Sequence, residues 1–283
     1  MPLYKLSPHK LASPVLVAAF DSWIDAGSAS TTAAAALLVE GGSTVATFDP
    51  DQLYDYRARR PILEIVDGRP AELTWPELTL RHGRVAERDV LVLSGPEPDF
   101  RWRKLATAIL ELVERLEVVE WISTGSIPAA VPHTRPVPIL GTESRPGLLR
   151  GGVEPGPSGL LRVPAAAISV LEMAVAKTGI PTLGYFTQVP HYVTGAYPAA
   201  AVELVRAVGR HLGGEPSLGS LPREARELRS QLDAAAATDE TTRAYVTRLE
   251  SMVDEARQPA GEDLISEIER FLRDRGAGDV GRS

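Results

Sequence analysis

The sequence predicts an α/β fold: a three-layer α/β/α core on a mostly parallel sheet, followed by a helical C-terminal extension. Short apolar runs rich in β-branched residues recur, and helix-type segments separate them, the alternation that builds a sheet covered by helices. After Gly213 the strand signals stop. The 283 residues are enough for a full core and a smaller second unit.

PVLVAAF (14–20) is the first buried-strand run, closed by Asp21. SASTTAAAALLVEGG (28–42) reads as a helix, with Asp25, Ser28 or Ser30 as its cap, Gly27 relieving the turn before it, and Gly41 and Gly42 ending it. Trp23 is expected to pack against neighbours. STVATFD (43–49) is the next strand and completes a βαβ unit. PILEIVDGRPAELTWPELTLRHGR (61–84) alternates apolar and polar residues around the turn signal DGRP, which predicts antiparallel hairpin strands. DVLVLSG (89–95) returns to the buried type. In DFRWRKLATAILELVERLE (99–117), Trp102, Leu105, Ile109, Leu112 and Leu116 recur at helical spacing.

VVEWISTG (118–125) is a strand, and the Gly- and Pro-rich stretch 126–159 holds one or two short strands within long loops. A helix follows Pro164, with Ser158 as a cap further upstream, then the last strand IPTLGYFTQVP (180–190) and the helix AYPAAAVELVRAVGRHLG (196–213). Three helix-type segments, 222–237, 239–256 and 261–274, complete the chain. The expected division is a core over 1–215, a helical extension over 216–275 and a tail over 276–283.

The net charge of −7, with no basic stripe, argues against nucleic acid as a partner. No cysteine is present, which removes disulfides, thiol nucleophiles and cysteine metal sites. The N-terminus lacks a signal-peptide core and no apolar run spans a bilayer, so the expected location is cytoplasmic, away from membranes. There is no P-loop, no G-x-S-x-G elbow and no H-E-x-x-H. GAGDVG (276–281) matches a dinucleotide pattern but precedes no helix.

What remains is a polar rim, because open α/β sheets bind ligands at the carboxyl ends of their strands. Asp21 and Asp25 follow the first strand; Ser94, Glu97 and Asp99 follow the next parallel one. Ser123, Thr124 and Ser126 lie at the end of WISTGSIP, with His133 and Arg135 beyond. Gln188, His191 and Tyr192 end the last strand, and Glu143 joins from GTES. One reading is a small-molecule pocket with His133 or His191 as general base; the other is that strand ends are polar to satisfy loops and caps. No catalytic residue, cofactor or metal is assigned, and enzymatic activity is not expected. The acids at 21 and 25 already occupy the approach to the first helix, so a phosphate would meet like charge there. A metal held by that pair is the weaker alternative.

FDSWIDAGSAS (20–30), DYRARRP (55–61), LSGPEPDFRW (93–102), TGSIPAAVPHTRP (124–136), GPSGLL (156–161) and VPHYVTGAYP (189–198) together resemble the bacterial branch of the proteasome assembly chaperone 2 (PAC2) family, over about residues 1–215. The resemblance implies a core similar to that of purine nucleoside phosphorylases, self-association, and a protein-interaction or assembly role linked to the proteasome. Eukaryotic chaperones of this kind dock through a hydrophobic–tyrosine–any residue tail. This sequence ends DVGRS, so such a role is expected to use another surface. The alternative is an enzyme or binder acting on a nucleoside-like or other small polar ligand.

Overall fold

A computed structural model describes residues 2–38, 42–153 and 155–257. Its centre is an eight-stranded sheet in the order β1-β3-β6-β7-β2-β8-β10-β9. The strands are β1 (Tyr4–Leu6), β2 (Val15–Asp21), β3 (Ser43–Phe48), β6 (Thr79–Val85), β7 (Arg88–Pro96), β8 (Glu120–Ala129), β9 (Ile139–Glu143) and β10 (Thr182–Pro190). The middle strands β7, β2, β8 and β10 pair parallel. β6 runs antiparallel between β7 and β3, so β3 points the same way as the parallel set. β1 and β9 run the other way at the two edges.

Alternation along each central strand divides the core. Leu16, Ala18 and Phe20 of β2, Leu91 and Leu93 of β7 and Trp121 of β8 face one side. Helices α3 (Trp102–Arg115) and α4 (Ala167–Ala176) cover them, burying Leu105, Ile109, Leu112 and Leu171. Val15, Val17 and Ala19, with Val90, Val92 and Ile122, face the other side, under α1 (Ala29–Ala36) and α5 (Pro198–Leu212). This is the three-layer arrangement that continuous apolar strands require, since both sheet faces must be buried.

The first helix is shorter than its sequence suggests. A single 3-10 turn (Ala26–Ser28) precedes α1, and Ser28 sits at φ 49 with no capping bond from its side chain. Trp23 is half exposed rather than packed. α4 starts from Ala166, well past Ser158. A four-residue helix α2 (Pro50–Leu53) leads into the hairpin β4 (Ile62–Val66) and β5 (Arg69–Thr74), which forms a separate two-stranded sheet turning at Asp67–Gly68. At the C-terminal side, α6 (Leu221–Thr238) and α7 (Glu240–Arg257) form a helical hairpin that packs back on α5 and on the loops after β8 and β10, burying Leu221, Val246 and Leu249. The segments 261–274 and 276–283 lie outside the described residues.

Candidate functional site

The carboxyl ends of β2 and β8 lie side by side where the connection after β2 runs to one side of the sheet, toward β3, and that after β8 to the other, toward β10, the usual ligand crevice of an open sheet. Here the chain's own loop 22–28 spans that crevice. Ser126 N–H donates to the Ile24 carbonyl at 2.6 Å and Ser126 Oγ to the Ala26 carbonyl at 2.7 Å. Glu97 N–H donates to the carbonyl of exposed Asp21.

Asp25 folds back over the 3-10 turn. One carboxylate oxygen accepts from Ser30 N–H at 2.7 Å, and the other accepts from Thr31 Oγ1 at 2.6 Å. It is 9% exposed, and burial raises its pKa while the Thr31 and Ser30 bonds act the other way. Beside it Ser30 Oγ donates to the Thr124 carbonyl, and Thr124 Oγ1 donates to the Ala18 carbonyl.

The other acids serve backbone. Glu97 accepts from Ala167 N–H at 2.6 Å, which caps α4. Glu143 accepts from Leu148 N–H and Leu149 N–H, and these bonds lower its pKa. Asp99 accepts from Asp55 N–H and pairs with Arg59 at 3.3 Å. Ser94 lies on β7 opposite Ala19 of β2. Ser123 Oγ donates to Glu172 on α4 at 2.5 Å and accepts from the Trp121 indole at 2.8 Å.

His133 and His191 belong to a second cluster, where the loops after β8 and β10 meet the α6–α7 hairpin. Tyr192 Oη accepts from His133 N–H at 2.8 Å and lies 2.7 Å from Nδ1. The hydroxyl therefore donates to Nδ1, and Nε2 carries the ring proton toward Asp233 of α6 at 3.1 Å. Burial holds the His133 pKa below its usual value, against the opposing pull of Asp233. His191 takes the other tautomer: Nδ1 donates to the Ala129 carbonyl at 2.9 Å, and Nε2 accepts from Tyr245 of α7 at 2.9 Å. Arg135 pairs with Glu250 at 3.1 Å and with Asp254 at 2.6 Å, while Thr134 also donates to Glu250.

The structure thus brings together Asp25, Thr124 and Ser126 in one knot and His133, His191 and Tyr192 in another. Glu97 and Glu143 stand apart from both. In each knot the hydroxyls, imidazoles and carboxylates have protein partners, and no serine or threonine is paired with a free base. Among the described residues no group of three or more His, Asp or Glu side chains can hold a metal. No described helix is long and apolar enough to cross a membrane.

A surface that the polar rim did not suggest is the hairpin β4–β5. Every residue of both strands is exposed. Ile62 is 67% and Ile65 60% exposed, and Leu63, Val66 and Leu73 are open beside them. Glu64 and Glu72 lie directly across the ladder from each other, a like-charge pair that weakens the hairpin. Its root is pinned by Trp75 packing edge-on against Tyr56, with ring centroids 4.7 Å apart. Strand alternation marked the hairpin in the sequence, but alternation normally implies one buried face, and here both faces are open.

The PAC2 family model matches residues 19–236. The chain belongs to the PAC2 family. A crystal structure of a Mycobacterium tuberculosis protein of unknown function, Rv2714, is 33% identical with a TM-score of 0.83, covering 90% of this chain and 91% of that one. A Corynebacterium glutamicum protein of unknown function is 29% identical with a TM-score of 0.84, covering 91% and 99%. The M. tuberculosis proteasome-assembly chaperone homologue Rv2125 is 33% identical with a TM-score of 0.74, covering 82% and 99%. Comparison with curated proteins finds no match. The PAC2 match takes in Asp25, Thr124 and Ser126, His133, His191 and Tyr192, the exposed hairpin and α6 as far as Ala236.

Proposed function

We propose that this PAC2 protein is a non-catalytic, cytoplasmic protein-interaction factor of the assembly-chaperone kind, self-associating and linked to the proteasome. The observation that carries the reading is the hairpin β4–β5, exposed along both strands and rich in large apolar side chains. A two-stranded hairpin alone is marginal in water, and exposed apolar clusters mark interaction surfaces. Burying even half of such an arm against a partner stabilises the pair by several kcal/mol at about 25 cal/mol per Å². The internal hydrogen bonds of the two polar knots favour the same reading over chemistry at the strand ends. The proteasome link rests on the family and on the described role of Rv2125 as an assembly-chaperone homologue. In this reading residues 1–215 carry the contact arm, and the helices after 215 clasp the rim.

The test pairs sedimentation with native mass spectrometry of the full chain, alone and with purified cognate proteasome α subunits. The expected result is a discrete self-assembly, a complex with α subunits, and loss of one or both in Leu63→Asp/Leu73→Asp with circular dichroism unchanged. A strictly monomeric chain that ignores α subunits at tens of micromolar overturns the reading.

A further inference from the structure

Between α5, α6 and the loop after β8 lies an open cleft of about 380 Å³. That is the low end of the range for small-ligand sites, roughly 300–1,000 Å³. Part of its lining is apolar: Val202 and Leu232 from the two helices, with Tyr197 at the start of α5. Its walls are cationic, with Arg206 from α5, Arg226 and Arg229 from α6 and Arg135 from the loop, against a single acid, Glu203.

The existing pairings decide how much negative charge the cleft can take. Arg135 is turned to Glu250 and Asp254, Arg206 is paired with Glu203 at 2.7 Å, and Arg229 Nε with Asp233 at 3.0 Å. Arg229 also donates through Nη1 to the His133 carbonyl at 2.8 Å. Arg226 lines the cleft, is exposed, and enters no ion pair among the described residues. One unpaired guanidinium suits one oxyanion. A polyphosphate would bring more charge than the cleft can neutralise without breaking the pairs already made by Arg135, Arg206 and Arg229, of which the Arg135 pairs tie α7 to the loop after β8.

We infer that this cleft binds a monoanionic ligand with a small apolar group next to a carboxylate. The carboxylate sits on Arg226, with Arg206 within the same wall, and the apolar group lies over Val202, Leu232 and Tyr197. Two sources present that chemistry: a free organic acid and the C-terminal residue of a peptide. The site shares no residue with the hairpin β4–β5, so it stands whether or not that arm contacts a partner.

Calorimetric titration of the full chain tests the inference with four probes: N-acetyl-leucine, N-acetyl-leucinamide, and a hexapeptide ending in leucine with its C-terminus free or amidated. The expected result is sub-millimolar binding of at least one free acid, at least tenfold weaker binding of its amide, and a further weakening with added salt. Arg226→Gln reduces the acid's affinity about tenfold with an unchanged melting temperature, because the side chain is exposed and enters no ion pair among the described residues. Equal binding of both free acids assigns the site to small acids, and binding of the free-ended hexapeptide alone assigns it to chain termini. Acid and amide binding alike, no binding at 10 mM, or an Arg226→Gln variant that binds like the parent overturns it.

Discussion

Asp25 Oδ1 accepts a 2.7 Å hydrogen bond from the backbone N–H of Ser30, so the anion at the start of α1 is supplied by the chain itself. The free amides of a helix N-terminus attract negative charge, and this carboxylate takes that place from within. Asp25→Ala removes the acceptor for Ser30 and Thr31 together. The expected cost is about 1–2 kcal/mol, read as a fall of about 2–4 °C in melting temperature per kcal/mol. Asp25→Asn keeps one acceptor oxygen and is expected to cost less than Ala. Equal losses for the two variants would show that the hydrogen bond to Ser30 contributes little.

Gly27 is fixed by a different contact. It sits at φ +64, and a Cβ there would lie 2.7 Å from Tyr197 Cβ. Its carbonyl accepts from Tyr197 N–H at 2.9 Å, so the loop cannot back away without losing that bond. Gly27→Ala therefore combines backbone strain with overlap at the start of α5, for an expected loss of about 1–3 kcal/mol in chemical denaturation. A neutral Gly27→Ala would mean that the loop and α5 separate freely.

The central strands β2 and β7 were legible as short apolar runs whose two faces both need cover, and β8 and β10 by their place in the alternation with helix-type segments. β1 was not, since Tyr4–Leu6 is three residues of edge strand with one partner and an exposed lysine at its middle. The over-long first helix has a local cause: Asp25 caps from five residues before Ser30, across a 3-10 turn that composition alone does not mark. Sequence placed His133, His191 and Arg135 beyond the strand ends. It could not show Asp233, Tyr245 and Glu250 returning to them, because contacts 54 to 115 residues apart leave no periodic trace.

Glu172 on α4 is a part-buried acid that accepts from Ser123 Oγ, at 2.5 Å. Burial pushes its pKa up, with the Ser123 bond acting in the other direction. For an acid whose folded pKa exceeds its unfolded one, stability is greatest below the unfolded pKa and declines as pH rises through the folded one. Glu172→Gln removes that titration and is expected to raise the melting temperature at pH 7 but not at pH 4. A variant less stable than the parent at both pH values would show that the second carboxylate oxygen has a partner the amide cannot serve.

The link between His133 and Asp233 has the opposite pH sense. Burial depresses the His133 pKa below 6.5, although Asp233 and Glu250 favour the charged ring; Arg229 opposes it, and Tyr192 occupies Nδ1. The neutral ring is the folded form, so the released chain binds the proton first. Stability is full above pH 6.5 and is lost as pH falls from 6.5 through the folded-state value. Since Asp233 lies on α6, the element released is the α6–α7 hairpin, held otherwise by Tyr245–His191, the Arg135 pairs and buried Val246 and Leu249. Hydrogen exchange is expected to show α6 and α7 losing protection between pH 6.5 and 5 ahead of β2 and β8. His133→Gln should flatten that dependence while lowering protection at pH 7. Uniform loss across helices and strands would place the acid-sensitive group in the sheet instead.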